Sequence, residues 1–544
     1  MRAADFIVSS LKAHGVARVY LVPGESYLAL LDALYGSGIE IIVCRHEGGA
    51  GFMAMAEAKL TGKPAVLLVS RGPGATNASI AVHSAEQDGV PLIVMIGQVA
   101  REERTRGVFQ EVDYGQLFGG MAKAVYEVAE GAKLIELIPR SFCLAASGIA
   151  GPVIISLPED MLRDEIDAPA PVVYPLPVIG SAPQETLRIQ ELIAQAERPL
   201  IMAGAKLRGA IGAEALARFA QSQRIPVAVT WKNQDIFDNG SDLFAGHLTP
   251  GATAAQRKIL GEADLIIAVG TRLGDFATLG YTLPQAPVPN QTLVHIYDDA
   301  APIGKVIRAD LGIVADPVQV LNSLSQFVRV GSALRERWVS DVNAATKAAQ
   351  KFTSITPDDG VDFGLVTMAL AKFAPADAII TTDAGNMSSW HHRHWVMTPK
   401  GTLLGCIAGA MGYGVPAAVA AQLVYPNRMA ICFVGDGGVL MTGNELATAM
   451  AYGLAPKIVI SNNSIYGTIR SHQEKNYAGR VSGTNLVNPD FTAWAKSFGA
   501  EAFELVMGDD VEAVVGAFLV SKGAAVLHVK SSAKALSAGG VLKD

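Results

Sequence analysis

The chain has 544 residues, of which 50% are apolar and 17% are charged, so it can bury several hydrophobic cores rather than one. Its formal net charge of −7, without any Lys/Arg-rich run, argues against a nucleic-acid partner. The N-terminus indicates an amphipathic helix, and no apolar stretch is long enough to span a bilayer. The four cysteines are scattered without metal-type spacing, which is typical of reduced thiols. We therefore expect a cytoplasmic protein without membrane contacts.

Strand-like runs alternate with helical patterns along the chain, which is typical of parallel α/β domains. Two breaks interrupt this alternation. The Pro-rich segment Pro169–Pro183 can form neither a helix nor a central strand, and a turn-forming stretch lies near Thr356–Gly360. The sequence therefore predicts an α/β protein of three parallel-sheet domains, at residues 1–168, 185–330 and 358–544.

A polar pattern follows two neighbouring predicted strands in the third domain. Gly435–Gly438 (Gly-Asp-Gly-Gly) comes after the apolar run Ile431–Val434, and Asn463 comes after the run Lys457–Ile460. Because parallel strands end at the same edge of a sheet, Asp436 and Asn463 should lie together there. Their oxygens suit Mg²⁺, and the glycines allow backbone amides to approach a diphosphate. An ordinary Gly-Asp-Gly turn with a loop-capping Asn pair is the alternative.

The first and third domains have a common spacing. In the first, Pro91 begins a predicted strand 28 residues after Lys63; in the third, Pro456 follows Arg428 by the same 28 residues. In each case a Gly-rich turn lies between the two positions. The matching offsets predict an internal duplication, in which two similar domains face each other across one cleft.

These features together resemble the thiamine-diphosphate (ThDP) enzymes. The first domain resembles acetolactate synthase in particular, because Ser70–Asn77 (SRGPGATN) is close to that family's Ser-Gly-Pro-Gly-Ala-Thr-Asn motif. Further similar segments are Gly97–Val99, Phe109–Glu111, Val294–Ile296, Gly304-Lys305, Asn488–Phe491 and Phe498-Gly499, so the resemblance covers essentially the whole chain. It implies pyrimidine-binding, central Rossmann-like and diphosphate-binding domains with ThDP and Mg²⁺ as cofactors. It also implies a homodimer or homotetramer with the active site at a subunit interface.

The resemblance assigns catalytic roles to two residues. Glu47, which follows the strand-like run Ile41–Cys44, corresponds to the acid that bonds a pyrimidine nitrogen of the cofactor and promotes its basic tautomer. A dry pocket would let this carboxyl share a proton with the ring, although an acid at a helix start is also favoured by the helix dipole. Gln110 would point its amide at the substrate's carbonyl or carboxylate.

The resemblance also assigns the cofactor and its metal. Met411 corresponds to the apolar residue that wedges between the two rings of the cofactor; a methionine filling a core gap is the alternative. Asn386 and Ser388 belong to a second diphosphate loop, for which a simple Asx turn is the alternative. The implied cofactor-binding residues are Ser70, Pro73, Asn77, Asn386, Ser388, Gly409, Met411, Gly435, Asp436, Gly437, Gly438, Asn463 and Ile465, and the implied metal-binding residues are Asp436, Asn463 and Ile465.

Some positions depart from the synthase pattern. Glu25 stands where the synthase has Gly, and simple 2-oxoacid decarboxylases have an acid or hydroxyl there, so Glu25 either transfers a proton at the reacting centre or caps a helix. His472 lies in the stretch where the synthase has an aromatic residue. Arg71 replaces a small residue, and pairs either a substrate carboxylate or a neighbouring acid.

Two further segments bear on other ligands. The flavin loop of the synthase, Arg-Phe-Asp-Asp-Arg, becomes Arg272–Phe276 and lacks its second arginine, and the turn Gly204–Lys206 is thin. Because of both differences, we expect that the protein binds no FAD. The run His391–His394 contains three possible metal ligands. Its position between two tryptophans instead favours a location at the surface or at a subunit contact.

The leading hypothesis is a ThDP- and Mg²⁺-dependent enzyme that decarboxylates a small 2-oxoacid such as pyruvate and ligates the remainder to a second carbonyl compound, as acetolactate synthase does. A 2-oxoacid decarboxylase or a benzaldehyde-lyase-like carboligase is the nearest alternative, followed by a 2-hydroxyacyl-CoA lyase or oxalyl-CoA decarboxylase. A non-enzymatic nucleotide-binding protein is disfavoured because Glu47, Asp436 and Asn463 are all present. A nicotinamide dehydrogenase is disfavoured because no Gly-X-Gly-X-X-Gly follows a strand with an acid about 20 residues on.

Overall fold

A computed structural model describes residues 1–249, 251–327 and 332–541. Within these residues the chain forms three sheets, each of six strands and each parallel throughout. The sheets lie at residues 18–158, 199–314 and 379–530. The prediction of three parallel-sheet domains is confirmed. Their proposed bounds remain a prediction, and the ends placed at residues 330 and 544 lie outside the described part of the chain.

The N-terminal domain is built from residues whose apolar side chains point to both faces of its sheet. In β3, β4 and β6 every residue is buried, as expected for strands covered by helices on both sides. Its strands are β1 (Arg18–Leu21), β2 (Glu40–Val43), β3 (Ala65–Val69), β4 (Leu92–Gln98), β5 (Ala124–Glu127) and β6 (Pro152–Pro158). Its α-helices are α1 (Ala3–Ala13), α2 (Leu28–Leu34), α3 (Glu47–Thr61), α4 (Gly72–Asp88), α5 (Tyr114–Phe118) and α6 (Leu134–Ala146).

The central domain follows the Pro-rich segment, which has no helix between residue 169 and the start of α7 at Pro183. Its strands are β7 (Pro199–Ala203), β8 (Val227–Thr230), β9 (Phe244–Leu248), β10 (Leu265–Val269), β11 (Thr292–Tyr297) and β12 (Leu311–Val314). Its helices are α7 (Pro183–Gln195), α8 (Ala210–Gln223), α9 (Ala254–Gly261) and α10 (Pro317–Leu324), and α11 (Ala333–Gln350) leads out of it. Both predicted breaks between domains are therefore segments without regular structure.

The C-terminal domain repeats the alternation of strand and helix. Its strands are β13 (Ile379–Thr382), β14 (Thr402–Gly405), β15 (Ala430–Gly435), β16 (Lys457–Asn462), β17 (Glu501–Leu505) and β18 (Ala525–Lys530). Its helices are α12 (Phe363–Phe373), α13 (Ser388–His394), α14 (Gly414–Val424), α15 (Asp436–Thr442), α16 (Leu446–Ala451), α17 (Gly467–Asn476), α18 (Phe491–Ser497) and α19 (Val511–Val520).

The order of strands supports the predicted duplication. The N-terminal sheet runs β2-β1-β3-β4-β6-β5 and the C-terminal sheet runs β14-β13-β15-β16-β18-β17, which is the same order when strands are counted within each domain. The central sheet, read from β9 to β12, runs 3-2-1-4-5-6 within its domain, the order of a Rossmann fold. The first and third domains therefore share one topology and the central domain has another.

The N- and C-terminal domains pack against each other through α3 and α14. Both helices are rich in glycine and alanine, so their backbones approach closely. The rings of Phe52 and Tyr413 meet edge to face with centroids 5.6 Å apart, and the Lys59 ammonium donates to the carbonyl of Gly405 at 2.6 Å and pairs with buried Asp88. This contact fixes α3, the helix that begins with Glu47.

Two more expectations concern cysteines and membranes. Each of the four cysteines is free, and Cys44, Cys406 and Cys432 are buried in the core. In the described ranges, every helix is too short or too polar to cross a lipid bilayer.

Candidate functional site

The predicted strand pair of the C-terminal domain lies side by side. β15 and β16 are parallel neighbours with Gly435 opposite Ser461, so both strands end at one edge of the sheet. Helix α15 begins directly at Asp436, and Asn463 follows the last residue of β16. Asp436 and Asn463 line the same cavity of about 240 Å³. Both predicted residues therefore lie at one cavity, and their role as metal ligands stays a prediction.

The chemistry at Asp436 fits a cation. Its carboxylate is 3% exposed and accepts hydrogen bonds from the Gly437 amide at 3.0 Å and from the Asn488 side chain at 2.8 Å. Burial raises the pKa of Asp436 above its ordinary value, and these hydrogen bonds only partly offset that rise. The buried Oδ1 of Asn488 has no hydrogen-bond partner among the described residues. A divalent cation with its water ligands would supply both the missing positive charge and the missing donor.

Asn463 and Ile465 both line this cavity. The amide of Ile465 donates to the Asn463 side-chain oxygen at 3.2 Å. This bond closes a two-residue turn and orients the Asn463 side chain. Asp436, Asn463 and Ile465 could therefore offer a carboxylate, an amide oxygen and a backbone carbonyl to one ion in this cavity.

The glycine at position 437 keeps this cavity open. A Cβ there would lie 2.5 Å from the Tyr466 ring and 3.4 Å from the Met411 methyl group, so a side chain at this position would require the Tyr466 ring to move. The distance of 3.4 Å also shows that Met411 lies next to the loop that carries Asp436. Met411 is half-buried and lines the cavity together with Gly409, which fits a side chain that supports a bound ring better than one that fills the core.

Asp383, which follows β13, holds the loop that carries Met411. Both of its carboxylate oxygens accept from the amide of Gly412 at 2.9 Å, and Oδ1 also accepts from the Ala384 amide at 2.8 Å. Gly412 has a φ of +90°, a conformation that a side chain would strain. A Cβ on Gly438 would lie 2.8 Å from the same carboxylate. Asp383 thus lies between the Met411 loop and the Asp436 loop.

Burial raises the pKa of Asp383 from its ordinary value of 3.8 to about 6. The folded chain keeps this proton up to about pH 6 while the unfolded chain releases it near 3.8, so this carboxyl makes folding less favourable as pH rises between those values. We expect Asp383→Asn to gain stability relative to the wild type by up to about 3 kcal/mol between pH 4 and pH 7. Melting temperatures of the cofactor-free proteins across this range measure the difference, and parallel curves would contradict it. The control Asp490→Asn should show the opposite trend, because hydrogen bonds from Thr492 and Ala493 lower the pKa of Asp490.

Of the two predicted donors in the second diphosphate loop, Asn386 and Ser388, only Asn386 lines the cavity. Asn386 lines the cavity, and its side-chain oxygen accepts from the Thr468 hydroxyl at 3.0 Å. The Ser388 hydroxyl donates to the carbonyl of Gly385 at 2.8 Å, which closes the turn before α13, and Ser388 is not among the residues that line the cavity. The role of Asn386 and Ser388 as phosphate donors stays a prediction.

Glu47 begins α3 on the N-terminal domain. His46 caps this helix by accepting from the Gly48 amide, and the amides of Arg45 and His46 donate to the buried carboxylate of Glu445 from the C-terminal domain. The Glu47 carboxylate is half-buried and accepts from the Asn77 side chain at 2.9 Å. The two predicted site residues Glu47 and Asn77 are therefore in direct contact, on the face where Asn77 and Pro73 are exposed.

The remaining N-terminal candidates meet at Arg71. Its guanidinium donates to Glu25 at 3.0 Å, to Glu159 at 3.2 Å and to the side-chain oxygen of Gln110 at 3.3 Å. The sequence offered either a substrate carboxylate or a neighbouring acid as the partner of Arg71, and in the structure Arg71 pairs with the neighbouring acids Glu25 and Glu159. The Glu25 carboxylate contacts Arg71 instead of capping a helix. Ser70 lies beside this group, with its hydroxyl 3.0 Å from that of Ser26.

The candidate residues thus form two sets within one chain. Gly409, Met411, Gly435, Asp436, Gly437, Gly438, Asn386, Asn463 and Ile465 line the 240 Å³ cavity. Glu25, Glu47, Ser70, Pro73, Asn77 and Gln110 belong to the N-terminal domain, and among the described residues none from that domain lines this cavity.

A second cavity of about 430 Å³ lies at the carboxyl ends of β7, β8, β10 and β11 in the central domain. The stacked rings of Trp231 and Phe276, 4.4 Å apart, form part of its wall. Two of its basic side chains already have partners: Lys206 pairs with Asp298 at 2.7 Å, and Arg272 donates to the carbonyl of Gln87. The prediction that no FAD is bound is untested by these contacts and stays a prediction.

The expectation for the histidine run is wrong. His391, His392 and His394 are buried, not at a surface, because α13 packs against the central domain, where the Gln234 side chain hydrogen-bonds to His392 at 2.7 Å. Burial lowers the pKa of His391 to about 3, so the ring is neutral. Within the described ranges no group of three or more His, Cys, Asp or Glu side chains is placed to hold a metal.

Comparisons with known proteins agree with this division into domains. Family models described as "Thiamine pyrophosphate enzyme" match the chain three times: the N-terminal TPP binding domain at residues 1–117, the central domain at 187–324 and the C-terminal TPP binding domain at 383–529. An acetolactate synthase large subunit of Parasynechococcus marenigrum is 33% identical over 522 residues, covering 92% of this chain and 83% of that protein. The chain belongs to the thiamine pyrophosphate enzymes.

Other relatives extend this result. The acetolactate synthase isozyme 2 large subunit of Escherichia coli is 31% identical over 97% of this chain and 95% of its own length. The acetolactate synthase large subunit of Lactococcus lactis is 31% identical over 94% of this chain. This thiamine pyrophosphate enzyme is therefore similar to acetolactate synthases along nearly its full length.

Sequence reasoning missed three acidic residues of this ThDP enzyme's site. Asp383 precedes the loop in which only the phosphate donors Asn386 and Ser388 were predicted, Glu445 lies between α15 and α16, and Glu159 follows β6 without any motif. Each carboxylate acts on residues far away in sequence, so spacing gave no signal for Glu445 or Glu159. The position of Asp383 directly after a strand, like that of Asp436, was a signal that could have been used.

Proposed function

We propose that this ThDP enzyme decarboxylates a small 2-oxoacid such as pyruvate and ligates the remaining acyl unit to a second carbonyl compound, as an acetolactate synthase-like carboligase. The observation that carries the proposal is the shared cavity of Asp436 and Asn463 at the ends of β15 and β16. It is supported by the similarity to acetolactate synthases over more than nine-tenths of the chain.

The C-terminal domain would hold the cofactor's diphosphate through Mg²⁺. Asp436, Asn463 and the backbone of Ile465 would bind the ion, and the start of α15 would place backbone amides near the phosphates. Met411 would support the bent shape of the cofactor from its loop, which Asp383 fixes. Bound ThDP would supply a carbon nucleophile and an electron sink for the decarboxylation of the 2-oxoacid.

Glu47 would activate this cofactor by hydrogen-bonding to its pyrimidine nitrogen. The side chain is placed by the first turn of α3 and by the hydrogen bond from Asn77, so its orientation is fixed before the cofactor arrives. Gln110 would face the substrate from its loop, where Gly72 leaves room for it: a Cβ on Gly72 would lie 2.9 Å from the Gln110 carbonyl oxygen.

The two sets of site residues imply a second copy of the chain. Glu47 and Asn77 do not line the 240 Å³ cavity of their own chain, and Pro73 and Asn77 are exposed. We infer a homodimer, or a tetramer built from two such dimers, in which the N-terminal domain of one protomer closes the cavity of its partner.

The proposal is tested by incubating the purified protein with pyruvate, ThDP and Mg²⁺, without and with acetaldehyde as an added acceptor. We expect release of carbon dioxide together with a ligated product, acetolactate or acetoin. Acetaldehyde alone, without any ligated product, would instead indicate a simple decarboxylase. Turnover of a 2-hydroxyacyl-CoA but not of pyruvate would indicate the acyl-CoA lyase alternative. Either result would contradict the proposal.

A further inference from the structure

Glu445 is an acid of the C-terminal domain whose side chain is fully buried. It ends the short turn Gly443–Glu445, which directly follows α15. Its Oε2 accepts from the Thr448 hydroxyl at 2.6 Å, and its other hydrogen bonds come from backbone amides. Burial raises the pKa of Glu445 above its ordinary value. A buried carboxylate bonded to uncharged donors costs the folded state stability, which argues for a role beyond packing.

The amides bonded to Glu445 belong to the segment that leads into Glu47. Oε1 accepts from the Arg45 amide at 3.1 Å and from the His46 amide at 3.0 Å, and Oε2 lies 3.2 Å from the Arg45 amide. His46 is the N-cap of α3, and Glu47 is the first residue of this helix. Amides at the start of a helix favour a carboxylate. Glu445 therefore fixes the backbone of the two residues that precede Glu47.

The first turn of α3 leaves room for this carboxylate. A Cβ on Gly49 would lie 2.4 Å from Oε1 of Glu445 and 2.8 Å from its Cγ, so a side chain at position 49 would displace the acid. Glu445 is not among the residues that line the 240 Å³ cavity of its own chain, and it bonds to the backbone before Glu47. Any effect of Glu445 on the proposed chemistry is therefore indirect.

We propose that Glu445 is a positioning residue, which holds the start of α3 so that the Glu47 carboxyl meets the pyrimidine ring of the cofactor in the orientation that activates it. This inference rests on the proposed function and adds to Glu47 a residue of the other cofactor-binding domain. A misplacement of about 1 Å is enough to lower a catalytic rate by roughly 100-fold, and loss of the Glu445 carboxylate would release both amides at once.

The test measures how fast bound ThDP exchanges the proton on its thiazolium carbon for deuterium, a reaction that depends on Glu47 but needs no substrate. We expect Glu445→Ala to slow this exchange by about tenfold or more at saturating ThDP and Mg²⁺, while ThDP retained after gel filtration stays at the wild-type amount. Glu445→Gln should restore most of the rate, because its amide oxygen can accept from both backbone amides. In the cofactor-free protein, backbone amides 45–47 should exchange faster in Glu445→Ala than in the wild type.

A double-mutant cycle separates positioning from general damage to the site. If Glu445 acts through Glu47, Glu445→Ala should slow the exchange by less than about twofold in a Glu47→Gln background. Equal slowing in both backgrounds would overturn the proposal. Gly49→Ala is a second variant for the case that Glu445→Ala does not fold, because its methyl group displaces the carboxylate without removing it. Exchange at the wild-type rate in Gly49→Ala would also overturn the proposal.

The matched control is Tyr452→Phe. The Tyr452 hydroxyl accepts from the Val43 amide at 2.8 Å and donates to the Ile41 carbonyl at 2.7 Å, so it joins the same two domains at β2 and not at the residues next to Glu47. Its loss should leave the exchange rate close to the wild-type value, and slowing equal to that of Glu445→Ala would overturn the proposal.

The same measurements separate this inference from the proposed function. A wild type that exchanges the proton rapidly, loses that rate in Glu445→Ala and forms no ligated product from pyruvate would support the inference while overturning the proposed function. Wild-type exchange in Glu445→Ala together with normal ligation would overturn the inference alone.

Discussion

Glu47→Gln should lower turnover of pyruvate by about 100-fold or more while leaving ThDP and Mg²⁺ bound. The amide keeps the size of the carboxyl and can still contact Asn77, but it cannot share a proton with the cofactor's pyrimidine ring. Loss of a positioned acid-base group reduces rates by roughly 10²–10⁴-fold. Steady-state kinetics with pyruvate and a count of ThDP retained after gel filtration measure the two effects separately.

The control for this substitution is Glu57→Gln on the same helix. The Glu57 carboxylate pairs with Arg18 and accepts from the Tyr20 hydroxyl at 2.6 Å, remote from Asn77. Its substitution should leave kcat close to the wild-type value. Near-normal turnover in Glu47→Gln would show that another group activates the cofactor.

Asp436→Ala should remove the cofactor rather than slow its chemistry. Without this carboxylate the ion loses its charged protein ligand, and we expect affinity for ThDP in the presence of Mg²⁺ to fall at least about 100-fold, more than the roughly 10–100-fold loss caused by changing an outer partner of a metal. Because burial raises the pKa of Asp436, its carboxylate is costly to the protein without the ion. The cofactor-free variant should therefore melt no lower than the cofactor-free wild type.

Thermal unfolding with and without ligands separates these effects. A ligand at 100 times its dissociation constant stabilises the folded state by about 2.7 kcal/mol, so ThDP with Mg²⁺ should raise the melting temperature of the wild type and not that of Asp436→Ala. Asn488→Asp can be measured beside Asp436→Ala, because it keeps a side chain next to Asp436 and adds a negative charge there. An equal rise for the wild type and for Asp436→Ala would contradict the role of Asp436.

The sheet architecture was predictable because it depends on local patterns. The runs Ile431–Val434 and Lys457–Ile460 are strands in the structure, extended by one or two residues at their ends. A parallel pair of strands places their ends together whatever the rest of the chain does, so the sequence alone could place Asp436 and Asn463 at one cavity. The equal spacing in the first and third domains likewise predicted two sheets of one topology.

Contacts between domains were not predictable in the same way. The histidine run looked like a surface feature because its sequence is polar, yet α13 is buried against the central domain and its rings are neutral. The partner of Arg71 could not be chosen from spacing, because Glu159 lies 88 residues away on a different strand end. The anchoring of α3 by Glu445 depends on how α3 and α14 pack, which no local pattern specifies.

The central claim is that a diphosphate is held through a divalent ion at Asp436 and Asn463. Its most direct measurement is calorimetric titration of ThDP into the cofactor-free protein, once with Mg²⁺ and once with a chelator. We predict saturable binding of about one ThDP per chain with Mg²⁺ and none with the chelator. Absence of binding with Mg²⁺, or equal binding under both conditions, would contradict the account.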